Sequence, residues 1–83
     1  MSDYKEGSII KCQVTGVEKY GIFVNTENNY TGLIHISEVS NSFVRDVNDY
    51  VKVGEEIYCQ VLEVDENNKQ LKLSIKNINY KST

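Results

Sequence analysis

Proline is absent from the 83 residues. With no proline and no low-complexity tract, nothing in the chain reads as a linker. At this length a single domain over residues 1–83 is the expectation, with a core of about 6–77 and short flexible tails. A domain this small buries only about 60% of the surface its unfolded chain exposes. No apolar run approaches the ~18 residues of a membrane span. Met1 is followed by SDYKEG, which is neither basic nor apolar, so no signal peptide is read and the cytoplasm is the expected location.

Cysteine and histidine are equally scarce. Cys12 and Cys59 form no CxxC, and His35 is the sole histidine. A four-ligand zinc site would need carboxylates or a second chain, so no metal and no cofactor is assigned. The two cysteines read as small core residues in a reducing compartment. His35 and Ser37 stand two apart on one side of a strand, but no carboxylate is placed to orient the ring. There is no GxxxxGK phosphate loop. No catalytic residue is assigned, and an enzyme is not expected.

Positive charge is also in short supply. Twelve acids face nine Lys and Arg, giving −3 overall. Phosphate binding usually comes with a basic face, so this balance warns against nucleic acid. The distribution is uneven, however. All acids lie before Asn68, leaving that part at −7, whereas Lys69, Lys72, Lys76 and Lys81 make the remainder +4. Opposite-sign segments permit an oriented molecule despite the total.

What is present is β-pattern. Residues 8–18 alternate, with Ile10, Cys12 and Val14 on one face, and Gly16 suggests a bulge or bend in a curling strand. The second strand is YGIFVN. Here a bulge at Gly21 is expected to bring Tyr20 and Phe23 to one face while Ile22 and Val24 turn inward. TENNYTG reads as a polar turn. GLIHIS is a third strand, with Ile34 and Ile36 inward and His35 outward. Ser37 is placed to cap a helical turn from Glu38, and one short helix is expected near residues 46–50, ended by Gly54. The fourth strand is EEIYCQVLEVD. The fifth, QLKLSIKN, puts Leu71, Leu73 and Ile75 inward and Gln70, Lys72, Ser74 and Lys76 outward. GSIIKCQV and GEEIYCQV repeat at an offset of 47 residues, read as a glycine turn feeding a core strand twice. The sum is all-β: a five-stranded antiparallel OB-type barrel with a short helix between strands 3 and 4.

The functional signal is three rings. Tyr20 and Phe23 lie on one strand and His35 on its predicted neighbour. Base stacking on an aromatic face contributes roughly 1–3 kcal/mol per base, so such a set can hold a short single strand. The alternative is that Phe23 is core and Tyr20 covers the barrel rim. Lys19, Lys69 and Lys72 are the candidate phosphate contacts, although exposed lysines are commonly only solvated.

The stretches GSIIKCQVTGVEKYGIFV, GLIHISEVS and VGEEIYCQVLEVDENNKQLKLSIK, in that order and spacing, resemble the S1 RNA-binding domain, named after the ribosomal protein. The resemblance covers about residues 6–77 and implies a five-stranded OB barrel that binds single-stranded RNA. It assigns the RNA surface to the two aromatics of the second strand, matching Tyr20 and Phe23, to His35, and to an aspartate after the fourth strand, matching Asp65. Asp65 opens a DENN turn, so it equally reads as a turn residue bonding its own backbone. A basic residue often starts the fifth strand in this family. Here that position is Gln70, preceded by Lys69, which implies weak, salt-sensitive binding. Cys12 stands where the family often has glycine.

As a chain with its own Met and basic end, it resembles the small single-domain bacterial members, with effects on translation or RNA stability. The expected partner is single-stranded RNA and the expected state a monomer without membrane contact. The alternative is a protein-interaction module docking on the ribosome or an RNA-processing enzyme, suggested by the acidic first 68 residues. A cold-shock-like chaperone would show a second aromatic-rich strand, which GLIHIS is not.

Overall fold

Five strands form where β-branched and aliphatic residues alternate with polar ones: β1 (Ile9–Glu18), β2 (Gly21–Asn25), β3 (Thr31–His35), β4 (Glu56–Asp65) and β5 (Gln70–Ser74). The computed structural model describes residues 4–81. The strands close into a barrel in the order β1-β2-β3-β5-β4, with β4 returning to β1. Closure leaves no open sheet edge. The inward positions are nearly free of solvent, among them Val14, Ile22, Val24, Ile34, Ile57, Val61, Leu71, Leu73 and Ile75.

One pairing departs from the expected all-antiparallel sheet: β3 and β5 run parallel. A parallel pair requires a long crossover. The chain supplies it with everything from Ile36 to Lys69, β4 included.

The bulge is also elsewhere. Gly21 pairs regularly with Glu18 and His35, and the irregularity falls on β1 between Val14 and Gly16, with a second on β4 between Val61 and Glu63. Gly21 is needed for close approach instead, since a Cβ there would run into the Ile34 carbonyl and come within 3.3 Å of the His35 Cα. Gly16 does mark a bulge, as its place in the first strand suggested.

The expected helix near residues 46–50 is only a 3-10 turn, Val47–Asp49, capped by Asp46, whose Oδ1 accepts from the Asn48 N–H at 2.9 Å. Val47 and Val51 are buried while Asn48 and Asp49 are exposed, so the segment has apolar anchors for one turn only. A second 3-10 turn, Ile36–Glu38, follows β3 directly; its cap is the His35 ring and not Ser37. Ser74, expected outward, is buried, and its hydroxyl donates to the Glu38 carbonyl at 3.4 Å. The strand end tucks under that turn.

The internal repeat has a structural meaning. Gly7 and Gly54 both adopt left-handed backbone, with φ of 89° and 93°. Gly7 N–H donates to Val61 O while Gly54 N–H donates to Val14 O; Val14 N–H donates to Glu55 O while Val61 N–H donates to Ser8 O. Ile10 pairs with Cys59 and Cys12 with Ile57. Each bond maps onto its counterpart under the 47-residue offset, so β1 and β4 are related by a local two-fold axis. Cys12 and Cys59 meet beside that axis, both buried. Cys59 donates its S–H to Cys12, which raises the Cys59 thiol pKa, with burial adding to the rise, and lowers that of Cys12.

The TENNYTG turn hides the largest core side chain. Tyr30 is 1% exposed. Tyr4 packs edge-on against it, with centroids 5.0 Å apart, and the Lys69 ammonium lies 5.0 Å over its ring. At the two ends, where short mobile tails were expected, Tyr4 covers Tyr30 and the Tyr80 hydroxyl donates to the Tyr50 carbonyl at 3.1 Å. Residues 1–3, 82 and 83 lie outside the described residues.

Candidate nucleic-acid interface

Strand register places the candidate residues in rows across the outer face of the β1-β2-β3-β5-β4 sheet. One row reads Gly16, Phe23, Leu33, Lys72, Glu63; the next reads Gln13, Asn25, Thr31, Gln70, Asp65. His35 pairs with Gly21, one step beyond the first row at the far end of β3. Tyr20 precedes that pair, and the Ile36 N–H donates to its carbonyl at 2.8 Å.

The rings therefore converge. Tyr20 is 52% exposed and meets Phe23 edge-to-face, with centroids 6.0 Å apart at 85°. Phe23 is half-buried. A Cβ built on Gly16 would lie 3.8 Å from Phe23, an ordinary van der Waals contact, so the ring packs directly beside the glycine. His35 is exposed, as is Tyr20, on the neighbouring strand end.

His35 has a fixed hydrogen-bonding role. Its Nδ1 accepts from the Ser37 N–H at 3.1 Å and lies 2.8 Å from the Ser37 Oγ. A ring nitrogen that accepts carries no hydrogen, so the neutral ring carries it on Nε2. Nε2 has no protein partner among the described residues. The ring thus offers both a flat face and one outward donor.

A groove of about 350 Å³ runs beside Phe23 and Leu33, walled by Val64, Asp65, Gln70 and Lys72. Its floor is apolar and its far wall polar, the pattern of sites that take a flat, hydrogen-bonding ligand. Asp65 is largely committed there. Its Oδ1 accepts from the Asn67 and Asn68 N–H groups at 3.1 and 3.2 Å, and its Oδ2 from the Asn68 side chain at 2.9 Å. These donors, the Asn68 side chain foremost, hold its carboxyl below the usual carboxylate range. A carboxylate has about four acceptor positions, so about one stays open to a ligand.

The cations are less concentrated than their sequence positions suggest. Lys72 pairs with Glu63 at 3.4 Å, and both are exposed. Lys69 sits in left-handed backbone, φ 54°, with its ammonium over Tyr30. Lys19 lies in the β1–β2 turn beside Tyr20, at the other end of the face. The structure thus groups Tyr20, Phe23 and His35 at one end, with Asp65, Gln70 and Lys72 across the groove. Among the described residues no cluster of three or more His, Cys, Asp or Glu has metal-binding geometry, and no helix is long and apolar enough to cross a membrane.

The model of the S1 RNA-binding domain family matches residues 3–76. This chain belongs to that family. General stress protein 13 of Bacillus subtilis (strain 168) is 42% identical to it over 73 residues, 88% of this chain and 56% of that protein. The solution structure of the Bacillus subtilis protein GSP13 superposes with a TM-score of 0.86 at 38% identity, covering 98% of this chain and 65% of that one. Small ribosomal subunit protein bS1 of Helicobacter pylori (strain ATCC 700392 / 26695) is 37% identical over 75 residues, 89% of this chain but 14% of that protein. The S1 domain here spans little more than half the length of the first of these relatives.

Sequence reasoning missed Leu33, Thr31, Glu63 and Val64 at this face. Leu33 was legible, since it stands two residues before His35 and shares its side of β3. Glu63 was not, because the β4 bulge at Leu62 shifts the parity, turning Glu63 outward and Val64 in against the core at the groove's edge.

Proposed function

We propose that this S1 domain binds single-stranded RNA, stacking bases on Tyr20, Phe23 and His35 and passing the strand along the Phe23–Gln70 groove. The observation that carries this reading is the convergence of three rings at the end of a groove with an apolar floor and a polar wall. The His35 Nε2–H donates to an oxygen of the strand, and the open Asp65 acceptor position and Gln70 meet a base or ribose. Lys19 is the free cation nearest the rings; Lys72, bound to Glu63, must exchange partners to reach a phosphate. Exposed ion pairs contribute about 0–1 kcal/mol, so that exchange is cheap.

The domain acts as a cytoplasmic monomer in translation or RNA stability, in association with the ribosome. Similarity to a ribosomal protein supports that setting. A second reading, docking on a basic protein of the ribosome or of an RNA-processing enzyme, draws on the acidic balance of −3. An NMR titration with short oligoribonucleotides separates the two. Shifts confined to residues 19–35 and 63–72 are expected; scattered shifts or none would refute the RNA reading.

A further inference from the structure

The distribution of cations points to a second segment of the strand's path. Of nine Lys and Arg side chains, Lys11, Lys72, Lys76 and Lys81 are ion-paired, and Lys69 faces the Tyr30 ring. Lys5 and Lys52 form no ion pair among the described residues, and neither do Lys19 and Arg45. Lys19 and Arg45 line one cleft of about 510 Å³ between the β1–β2 turn and the loop of residues 40–46, floored by Val17, Ile36 and Val47. The cleft is continuous with the aromatic face. Ile36 follows His35, its N–H holds the Tyr20 carbonyl, and Lys19 is the residue before Tyr20.

Two acids also line the cleft. Asp46 is engaged as a cap, its Oδ1 accepting from the Asn48 N–H and the Asn48 side chain. Neutral N–H donors do not cancel its charge, so Asp46 and Glu18 both oppose Lys19 and Arg45 in the cleft. In the same loop, two residues before Arg45, stands Phe43, 88% exposed and the most exposed large hydrophobic among the described residues. An exposed ring beside two cations that form no ion pair supplies the two elements single-strand binding uses, a stacking platform and charges for the phosphates.

We propose that the strand leaves the Tyr20 end of the face through this cleft, where Lys19 and Arg45 hold its phosphates and Phe43 stacks the next base. This rests on the RNA reading above and extends it from the groove to the 40–46 loop.

Fluorescence anisotropy on labelled oligouridylates of about three and about ten nucleotides tests it. On the longer strand, Arg45→Gln and Lys19→Gln are each expected to flatten the log–log salt dependence by about 0.7 for every phosphate the variant no longer neutralises. Lys52→Gln, which removes the same charge from an exposed lysine lining a different cleft, is expected to leave the slope unchanged. Phe43→Ala is expected to weaken the longer strand about five-fold or more and to leave the short one unchanged. Arg45, Lys19, Lys52 and Phe43 are all exposed, so thermal midpoints should hold and report any fold defect. If the wild type binds both strands and Phe23→Ala abolishes binding, while Arg45→Gln and Phe43→Ala match Lys52→Gln, this inference alone is overturned. If the wild type binds neither strand, the RNA reading fails and this one with it.

Discussion

His35 caps a turn and has a proposed stacking role, and different substitutions separate the two. Its Nδ1 caps the Ile36–Glu38 turn, and its face and Nε2–H are free. His35→Phe keeps a flat ring but deletes both the acceptor and the donor. Losing an exposed cap costs about 0.5–1 kcal/mol, the low end of the usual range. In a domain of this size each kcal/mol moves the thermal midpoint by about 4–8 °C. RNA binding should fall only several-fold, because one hydrogen bond contributes about 0.5–1.5 kcal/mol and stacking survives. His35→Asn does the reverse. Asn is a strong capping residue whose carbonyl oxygen replaces Nδ1, so stability should stay near wild type. The ring is gone, and about 1–3 kcal/mol of stacking goes with it, roughly 5- to 150-fold in affinity. Thermal melts and anisotropy on the same two variants give the answer. If His35→Phe melts with the wild type, the cap contributes nothing measurable. If His35→Asn binds RNA as tightly as wild type, the ring is not a stacking platform.

Tyr30→Ala should remove about 3–5 kcal/mol, close to the whole stability of a small domain, and a cooperative native melt at room temperature would contradict the burial of that ring. Cys12 and Cys59, 3% and 0% exposed, should not react with a thiol reagent in native buffer but should both react in denaturant; rapid native labelling would show that β1 and β4 part more readily than their register implies. Asp65 has a folded-state pKa below its ordinary value, so its contribution is present above the ordinary aspartate range and is lost as pH falls through the lowered value. The stability gap between wild type and Asp65→Ala should therefore narrow in acid, and a gap constant down to pH ~2 would refute the turn's dependence on the carboxylate.

The strands and their inward faces were legible because burial imposes period 2, and Cys12, Val14, Ile57, Cys59, Leu71 and Leu73 obey it. The parts that were not legible share a cause: they depend on which strand lies beside which. Gly21 looked like a bulge because glycine permits one, but its neighbour is the Ile34 carbonyl, 13 residues further along the chain. Ser74 alternates outward on paper and is buried because the turn after β3 lies across it. Tyr30 sits among Asn, Glu and Thr, so its segment reads as a solvated turn; only Tyr4 and Lys69, brought in by β1 and β5, make it core. At the site, the rings were visible as residue types, whereas the tautomer of His35 depends on a hydrogen bond two residues downstream.

Charge shows the same limit most sharply. In the sequence the last residues are +4 against −7 before them, which suggests a basic edge facing an acidic body. In the barrel that edge does not exist. Lys72 lies against Glu63, Lys76 against Glu38 and Lys81 against Glu55, while Lys69 covers Tyr30. Every lysine of the basic segment is met by a group from the acidic one, because β5 and the residues after it pack beside β4 and the turn after β3. Segregation along the chain becomes neutralisation in space. Among the described residues, the cations without an ion pair near the rings are instead Lys19 and Arg45, from the acidic part. On the proposed reading, such an interface takes its affinity mainly from stacking and only secondarily from phosphates, which reconciles an RNA surface with a net charge of −3.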